Sequence, residues 1–442
     1  MPAAPADSAL YARLFGDAET ARLFSDSAEV RAMMLVEGAL ARVQGEQGLI
    51  PLEAGLFIHR CSLELQIDPA GLASETGANG VPVPALVAAF RTAMNAPAHA
   101  QYLHWGTTSQ DIMDTALMLR LRQALVLWEG RLNLIVQGLG AIAATHAETA
   151  MVARTYGQAA TPSSFGAQVA GWGNPLLRHR QRLAELRPRL LVVQLAGAAG
   201  TLSAMGSKGP ALRAALAQAL GLGDPGGAWH CERDRIAELA GWMAGLCASL
   251  GKLGEDVLLL THSGVAEVAL TGAGASSTMP QKQDPVAASV LVALARHAAG
   301  LAATLQGAAL HREARDGAAW FTEWLTLPQL CLTTGRALLT AQALIHTLRP
   351  LPAVMAAALD EDGGLIHAEA LTFALARRIP RPEAAAAVKS LCTEVRNGKG
   401  TLPELAAARF PDAINLAPGG SFSPDLGSAP AQARAFAALA RN

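Results

Sequence analysis

Apolar residues recur along much of this chain at alternating spacings of three and four, the pattern of long amphipathic helices. Between Cys231 and Leu260 this spacing is continuous and involves Ile236, Leu239, Met243, Leu246, Leu250, Leu253 and Val257. A helix over this stretch would run about 40 Å at 1.5 Å per residue. The pattern therefore predicts an element suited to coiled-coil-like packing against other helices.

The same pattern predicts three more long helices. One follows Asp114, with caps or first-turn acids supplied by Asp111, Asp114 and Thr115. The second runs from Pro285, and the third from Glu323 to about Leu348. The stripe of the first comprises Leu117, Leu121, Ala124, Trp128, Leu132, Ile135 and Leu139. Runs of period-two alternation are scarce, so the expected fold class is all-α.

The predicted helices divide the chain into three regions. Residues 1–101 form a smaller N-terminal helical domain, residues 102–349 a central domain of long helices, and residues 350–442 a C-terminal helical domain. A Pro- and Gly-rich stretch near Pro418 precedes a last short helix, predicted from Ala431 to Leu439. We expect the central bundle to mediate assembly.

Composition supports assembly and limits the range of partners. Of 442 residues, 51% are hydrophobic and 16% charged, so much apolar surface is expected to lie between long helices or between subunits. The net charge of -1 provides no sustained basic field, which argues against nucleic acid and anionic membrane as partners. Arg296 and His297 interrupt the apolar run from Val286 to Leu305, which favours a buried helix over a membrane span.

The cysteines and the N-terminus indicate a cytoplasmic protein. Five cysteines lie far apart without a C-x-x-C pair, which suits neither a disulfide framework nor a zinc site. The segment from Met1 to Asp7 lacks a basic region followed by an apolar core, so no signal peptide is predicted. We expect reduced, mostly structural thiols.

The densest candidate chemistry lies between Gly272 and Pro285. Glycines there allow close backbone approach to a ligand, Ser276 and Ser277 supply hydroxyls, and Lys282 supplies a positive charge. Because a helix is predicted to begin at Pro285, directly after this segment, the N–H groups at its N-terminus would face an anion bound there. The alternative is a mobile linker rich in Gly, Ser and Thr.

Two other polar segments precede predicted helices. The first, from His104 to Asp111, combines hydroxyls with a helix N-terminus and could hold a carboxylate. It could equally be an N-capping cluster. The second, from Arg154 to Pro162, is predicted to be a polar loop, which a turn ending at Pro162 would explain without any function.

Together these segments resemble the signature regions of the aspartase/fumarase superfamily. The signature loop of that superfamily reads Gly-Ser-Ser-x-Met-Pro-x-Lys-x-Asn-Pro, and residues 275–285 read Ala-Ser-Ser-Thr-Met-Pro-Gln-Lys-Gln-Asp-Pro. Within the superfamily the sequence is most similar to bacterial 3-carboxy-cis,cis-muconate cycloisomerases. The matching segments are Tyr102–Thr115, His179–Leu191, Ala199–Lys208 and Glu323–Pro328.

The resemblance implies an all-α homotetramer of three-domain subunits, with active sites built from loops of three subunits and no metal or cofactor. It implies that Ser276 exchanges a proton with the carbon next to a carboxylate, while Lys282 and the loop backbone stabilise the alkoxide. The residues matched to substrate binding are His104, Thr107, Thr108, Ser109, Thr155, Gln158, Ser277, Met279 and Arg315.

The implied reaction is cycloisomerisation of an unsaturated tricarboxylate, 3-carboxymuconate or an analogue such as 3-sulfomuconate, to a γ-lactone. Tyr156 and Ala159 stand where related enzymes often carry a catalytic histidine, and Gln283 and Asp284 replace the usual basic residue and Asn. Two alternatives stay open: a C–N or C–O lyase acting on a succinate-like substrate, and an inactive structural homologue. Loss of a carboxylate needs less protonation than loss of an amine, so a lactone-forming enzyme would better tolerate Ala159.

Overall fold

The computed structural model describes residues 4–272, 274–275, 278–279, 281–411 and 422–441. Helices dominate these residues, and the strands are short and form three two-stranded antiparallel pairs. The all-α fold class is confirmed.

The N-terminal helices are mostly short. They are α1 (Ala12–Phe15), α2 (Ala18–Leu23), α3 (Asp26–Glu46), α4 (Leu52–Glu64), α5 (Ala73–Asn79), α6 (Val83–Met94) and α7 (Pro97–Ala100). The middle of the chain contains the long helices together with one shorter one. These are α8 (Ser109–Thr145), α9 (Phe165–Leu190), α10 (Gly209–Leu220), α11 (Asp234–Leu260), α12 (Val286–Ala308) and α13 (Gly317–Thr347).

The C-terminal helices are short again. They are α14 (Pro352–Ala358), α15 (Ala368–Leu375), α16 (Arg381–Arg396), α17 (Leu402–Arg409) and α18 (Ala429–Leu439). The strands are β1 (Ala150–Thr155), β2 (Gln158–Ser164), β3 (Val268–Leu270), β4 (Gly274–Ala275), β5 (Gln283–Asp284) and β6 (Leu348–Pro350).

The four predicted long helices are confirmed, with differences at their N-termini. Helix α13 begins at Gly317, six residues before the predicted Glu323, because the Asp316 carboxylate accepts hydrogen bonds from the N–H groups of Ala318 and Ala319 at 3.0 and 3.3 Å. All seven residues of the predicted α11 seam are at most 1% exposed. The helix period alone was therefore enough to identify the buried face of α11.

The segment from Arg154 to Pro162 forms a hairpin, so its prediction as a loop was wrong. Strands β1 and β2 pair in antiparallel register, with Thr155 opposite Gln158. Tyr156 and Gly157 connect them, with φ angles of 51° and 74°. Two consecutive positive φ angles are what a tight two-residue hairpin turn requires, and Tyr-Gly is an uncommon sequence for it.

The chain divides into two compact units, each built from three separate stretches of sequence. Unit 1 comprises Met1–Leu132, Arg178–Gly251 and Val290–Thr340, and unit 2 comprises Asn133–Leu177, Lys252–Ser289 and Ala341–Asn442. The core of unit 1 includes Met33, Leu40, Ile58, Leu86 and Phe90. One core of unit 2 joins α15, α16 and α17 through residues that include Leu371, Val388, Leu391 and Leu402. The division into three domains stays a prediction.

Helix α12 is the most apolar of the long helices. By length and composition it could cross a membrane, a test that core helices of soluble proteins also pass, so it is weak evidence for a span. Only 33% of its most apolar window is buried within this chain. The predicted burial is therefore met in part, and much of an Ala- and Gly-rich face stays exposed.

Candidate active site

The polar segment before α8 is held by an acid in the first turn of that helix. His104 and Gly106 adopt φ angles of 62° and 71°, so the chain turns sharply as it passes from α7 to α8. The Asp111 carboxylate then accepts hydrogen bonds from Thr107 Oγ1 at 2.9 Å and from the Thr108 N–H at 3.1 Å. The N-capping interpretation is thus correct for Asp111, and it leaves the Thr108 hydroxyl available to another group.

Asp111 also anchors two other segments of unit 1. Its carboxylate accepts hydrogen bonds from the N–H groups of Ala196 at 3.1 Å and Gly197 at 2.9 Å, and it contacts His230 Nε2 at 2.8 Å. Asp111 itself is fully buried. Hydrogen-bond donors surround both oxygens of this carboxylate. It therefore fixes the position of the Thr107–Thr108 backbone.

His104 forms an ion pair with a buried acid on α3. Its Nδ1 lies 2.6 Å from Oε1 of Glu37, whose side chain is 1% exposed. Burial alone would lower the pKa of the His104 imidazole, but the charge and hydrogen bond of Glu37 outweigh it, and the pKa is raised above its ordinary value. Glu37 therefore favours a cationic imidazolium beside the hydroxyl groups of this segment.

Arg315 adds a second cation to the same place. It lies between α12 and α13, is exposed, and its Nη1 donates a hydrogen bond to Thr108 Oγ1. The structure thus joins Arg315 to the predicted segment that carries His104, Thr107, Thr108 and Ser109, all within unit 1. A guanidinium, an imidazolium and the N-terminus of α8 together favour a bound carboxylate.

A buried ionic triad lies next along α8. Arg233 contacts Asp114 at 2.8 and 3.1 Å and Glu323 at 2.5 and 3.0 Å, and all three side chains are at most 2% exposed. Burial lowers the pKa of the Arg233 guanidinium, but the two carboxylates more than reverse this and raise it. Burial also raises the pKa of Glu323, against the opposing influence of Arg233. The triad holds the starts of α8, α11 and α13 together.

Sequence reasoning did not identify Glu37, His230 or Arg233. Glu37 lies inside an apolar helix, and its partner His104 is 67 residues away. The only signal for Arg233 is a short charged run, Glu232 to Arg235, directly before the α11 seam. Nothing in that run indicates which distant carboxylates Arg233 contacts.

Thr155 and Gln158 flank the tip of the β1–β2 hairpin in unit 2. Both are exposed, as are Tyr156 and Ala159. Arg154, at the base of this tip, forms a two-fold hydrogen-bonded ion pair with the buried Glu267, at 2.8 and 2.9 Å. This pair fixes the hairpin, so Thr155 and Gln158 are displayed on a rigid support rather than on a loop.

The signature loop is closed at its base by pairing of β4 with β5 in unit 2. Lys282 Nζ lies 3.0 Å from Oδ1 of Asp284, and Met279 is exposed. Asp284, which replaces the signature Asn, therefore compensates the charge of Lys282. Ser276 and Ser277 lie outside the described residues, and their roles stay predictions from the sequence.

Comparisons with known proteins identify the family to which the chain belongs. A lyase family profile matches residues 68–300. The 3-carboxy-cis,cis-muconate cycloisomerase of Pseudomonas aeruginosa is 42% identical over 87% of this chain and 84% of that protein. A more distant relative, nitrosuccinate lyase of Streptomyces davaonensis, is 35% identical over 92% of this chain and 88% of that protein.

Solved structures give the same result over nearly the whole fold. The 3-carboxy-cis,cis-muconate lactonizing enzyme from Pseudomonas putida matches with a TM-score of 0.92 and 35% identity, covering 98% of this chain and 99% of that one. The resemblance found in short segments of the sequence is thus confirmed over 98% of the chain. The protein is an enzyme of the aspartase/fumarase superfamily of lyases, to which the 3-carboxy-cis,cis-muconate cycloisomerases also belong.

Proposed function

We propose that this enzyme interconverts 3-carboxy-cis,cis-muconate, or a close analogue such as 3-sulfomuconate, and the corresponding muconolactone without a cofactor. The observation that carries the proposal is the pairing of Arg315 with Thr108, next to His104 and the N-terminus of α8. This arrangement suits a substrate with several carboxylates. The similarity of this protein to cycloisomerases over most of the chain supports the choice of substrate.

The reaction forms one C–O bond within the substrate and one C–H bond beside it. A carboxylate oxygen adds to the conjugated double bond, and the negative charge moves onto the carbon next to another carboxylate as an enediolate. In our proposal Ser276 delivers its hydroxyl proton to that carbon and regains a proton from solvent. In the reverse direction its alkoxide removes the proton from carbon and releases it to solvent. Lys282 and the loop backbone stabilise the serine alkoxide, while His104, Thr108 and Arg315 bind substrate carboxylates.

The first test is ultraviolet absorbance of the conjugated diene in 3-carboxy-cis,cis-muconate. Rapid loss of this absorbance with purified enzyme would establish the reaction, provided that the product is a lactone of the same mass as the substrate. No loss with this substrate or with 3-sulfomuconate would contradict the proposal. Formation of fumarate from an amino- or alkoxysuccinate would then identify a C–N or C–O lyase. An intact tetramer that is inactive on every one of these substrates would identify a structural homologue.

Arg315→Met should raise KM for the tricarboxylate by at least about tenfold, since a hydrogen bond to a charged group contributes about 1.5–3 kcal/mol. kcat should change less, because the guanidinium binds a group that stays ionised throughout. Initial rates over a range of substrate concentrations separate the two constants.

Arg312→Met is the matched control for Arg315→Met. It removes the same charge from the same connecting segment, but Arg312 pairs with Asp316 instead of contacting Thr108. An equal rise in KM for both variants would show an effect of net charge and contradict the role of Arg315.

Ala159→His should leave turnover of the muconate within about threefold of the wild type. A positioned general acid typically contributes about 10²–10⁴-fold, but a carboxylate leaving group needs little protonation. Steady-state kcat in both directions is the measurement. A gain approaching that range would show that the missing histidine limits this enzyme, and would favour the lyase alternative.

We also propose a cytoplasmic homotetramer of three-domain subunits that contacts neither nucleic acid nor membrane. Its long helices leave large apolar side chains exposed, including Val126, Leu134, Leu259 and Leu325. Burial of such side chains between subunits would support assembly, and the small-residue face of α12 allows close helix packing. Light scattering should give a mass four times the 45.7 kDa of one chain.

A further inference from the structure

We infer that Glu37 is a positioning residue of the carboxylate-binding site, which keeps His104 in the imidazolium form so that its Nε2–H can bind a substrate carboxylate. The inference deepens the proposed function and rests on it for the identity of the substrate. Glu37 lies in the middle of α3, outside the residues that the family profile matches and outside the signature segments.

The first argument is the burial of the Glu37 carboxylate. Its side chain is 1% exposed, Oε1 lies 2.6 Å from His104 Nδ1, and Oε2 is buried without a hydrogen-bond partner among the described residues. A buried carboxylate with so few donors is costly unless a cation neutralises it. The imidazolium of His104 is the group in contact that can supply this charge.

The second argument is the charge around the ring. Glu37 on α3 and Asp111 on α8 both favour the imidazolium, whereas burial and Arg91 on α6 oppose it. Arg91 is held by a hydrogen bond to the Leu103 carbonyl at 2.9 Å, so its influence on the ring is fixed. Glu37 acts on the ring through both its charge and its hydrogen bond, whereas Asp111 acts through its charge alone. Glu37 therefore decides the balance.

The third argument is the backbone at His104. Its φ of 62° lies in the left-handed region, which is unfavourable for a residue with a side chain and persists only where other contacts hold it. The ion pair to α3 provides such a contact. It also occupies Nδ1, so Nε2 is the nitrogen left to donate to a ligand.

These contacts predict a defect that depends on pH. Because the folded state raises the pKa of His104, the cation is present below that raised pKa and is lost as the pH rises through it. Glu37→Gln keeps the shape of the side chain and removes its charge. The pKa should then fall, so the variant loses the imidazolium at a lower pH than the wild type does.

The kinetic test is kcat/KM of Glu37→Gln between pH 5.5 and pH 8.5, pH values chosen to bracket the ordinary histidine pKa of about 6.5. We expect kcat/KM of Glu37→Gln to fall, through KM, at a lower pH than in the wild type. The difference should be smallest at the acid end of this range and reach about tenfold at the alkaline end, since one pKa unit corresponds to a tenfold change in the ratio of charged to neutral imidazole. In a His104→Gln background, Glu37→Gln should add no pH-dependent loss. An equal loss at every pH would indicate a structural defect and overturn the inference.

A second measurement does not depend on turnover. Deuterium exchange at the imidazole C2–H, followed by mass spectrometry of the peptide containing His104, reports the pKa of that ring. We expect a raised pKa in the wild type that falls in Glu37→Gln, while deuterium exchange at the exposed His262 should be the same in both proteins. An ordinary wild-type value, or no change in the variant, would overturn the inference even if the enzyme converts muconate. If the enzyme does not convert muconate, only the proposed function fails.

Discussion

Ser276→Ala should lower kcat/KM for 3-carboxy-cis,cis-muconate by about 10²–10⁴-fold, the usual contribution of a positioned acid–base group. Our proposal assigns Ser276 the proton transfer at carbon, and alanine removes the only atom that can perform it. The loss should appear in kcat, because the residues of unit 1 that we propose bind the substrate carboxylates are unchanged. Diene absorbance under single-turnover conditions measures this step directly.

Ser263→Ala is the matched control. Ser263 is an exposed serine in a connecting segment of unit 2, and it lies outside the signature loop. It should retain wild-type rates. Solvent deuterium incorporation into the lactone supplies a second check, because the serine should control exchange at one carbon. Wild-type kcat in Ser276→Ala would reject the serine as the proton-transfer group.

Arg233→Met should be the most destabilising single change in the buried network, by about 3–5 kcal/mol. The substitution keeps the bulk of the side chain but leaves Asp114 and Glu323 buried without their shared cation. These carboxyls would then bind protons more tightly in the folded than in the unfolded chain. Stability should consequently fall further as the pH rises from 5 to 8.

Urea unfolding midpoints at matched protein concentration test this expectation, since assembly makes them concentration-dependent. Arg189→Met is the control: Arg189 pairs with Glu238, but both side chains are about half exposed. Such surface pairs contribute about 0–1 kcal/mol. Similar midpoints for the two variants would show that the Arg233 triad contributes no more than a surface pair.

Local patterns predicted most of the fold. The seam of α11 follows from spacings within one helix, and every residue in it is buried. The hairpin was missed because Tyr156 and Gly157 are not the usual residues of its turn. The start of α13 was missed because the residues that follow Asp316, up to the predicted start at Glu323, show little apolar periodicity. The capping acid therefore had no helix pattern beside it in the sequence.

The candidate site was predictable only where its residues are close in sequence. The segment from His104 to Ser109 and its Asp111 cap are contiguous, so their chemistry was apparent. The pairs formed by Arg233 join residues 119 and 90 positions apart, and Glu37 is 67 positions from His104. Such pairs are fixed by helix packing, and no spacing rule in a single sequence specifies them.

The pairing of Lys282 with Asp284 bears on how substrate reaches the enzyme. Between Gly272 and Pro285 these are the only formally charged side chains, so the loop carries no net charge. A neutral loop exerts little long-range attraction on a trianion, and its influence is confined to short distances. In the proposed reaction, long-range attraction of the substrate anion therefore comes from the cations of unit 1 and not from this loop.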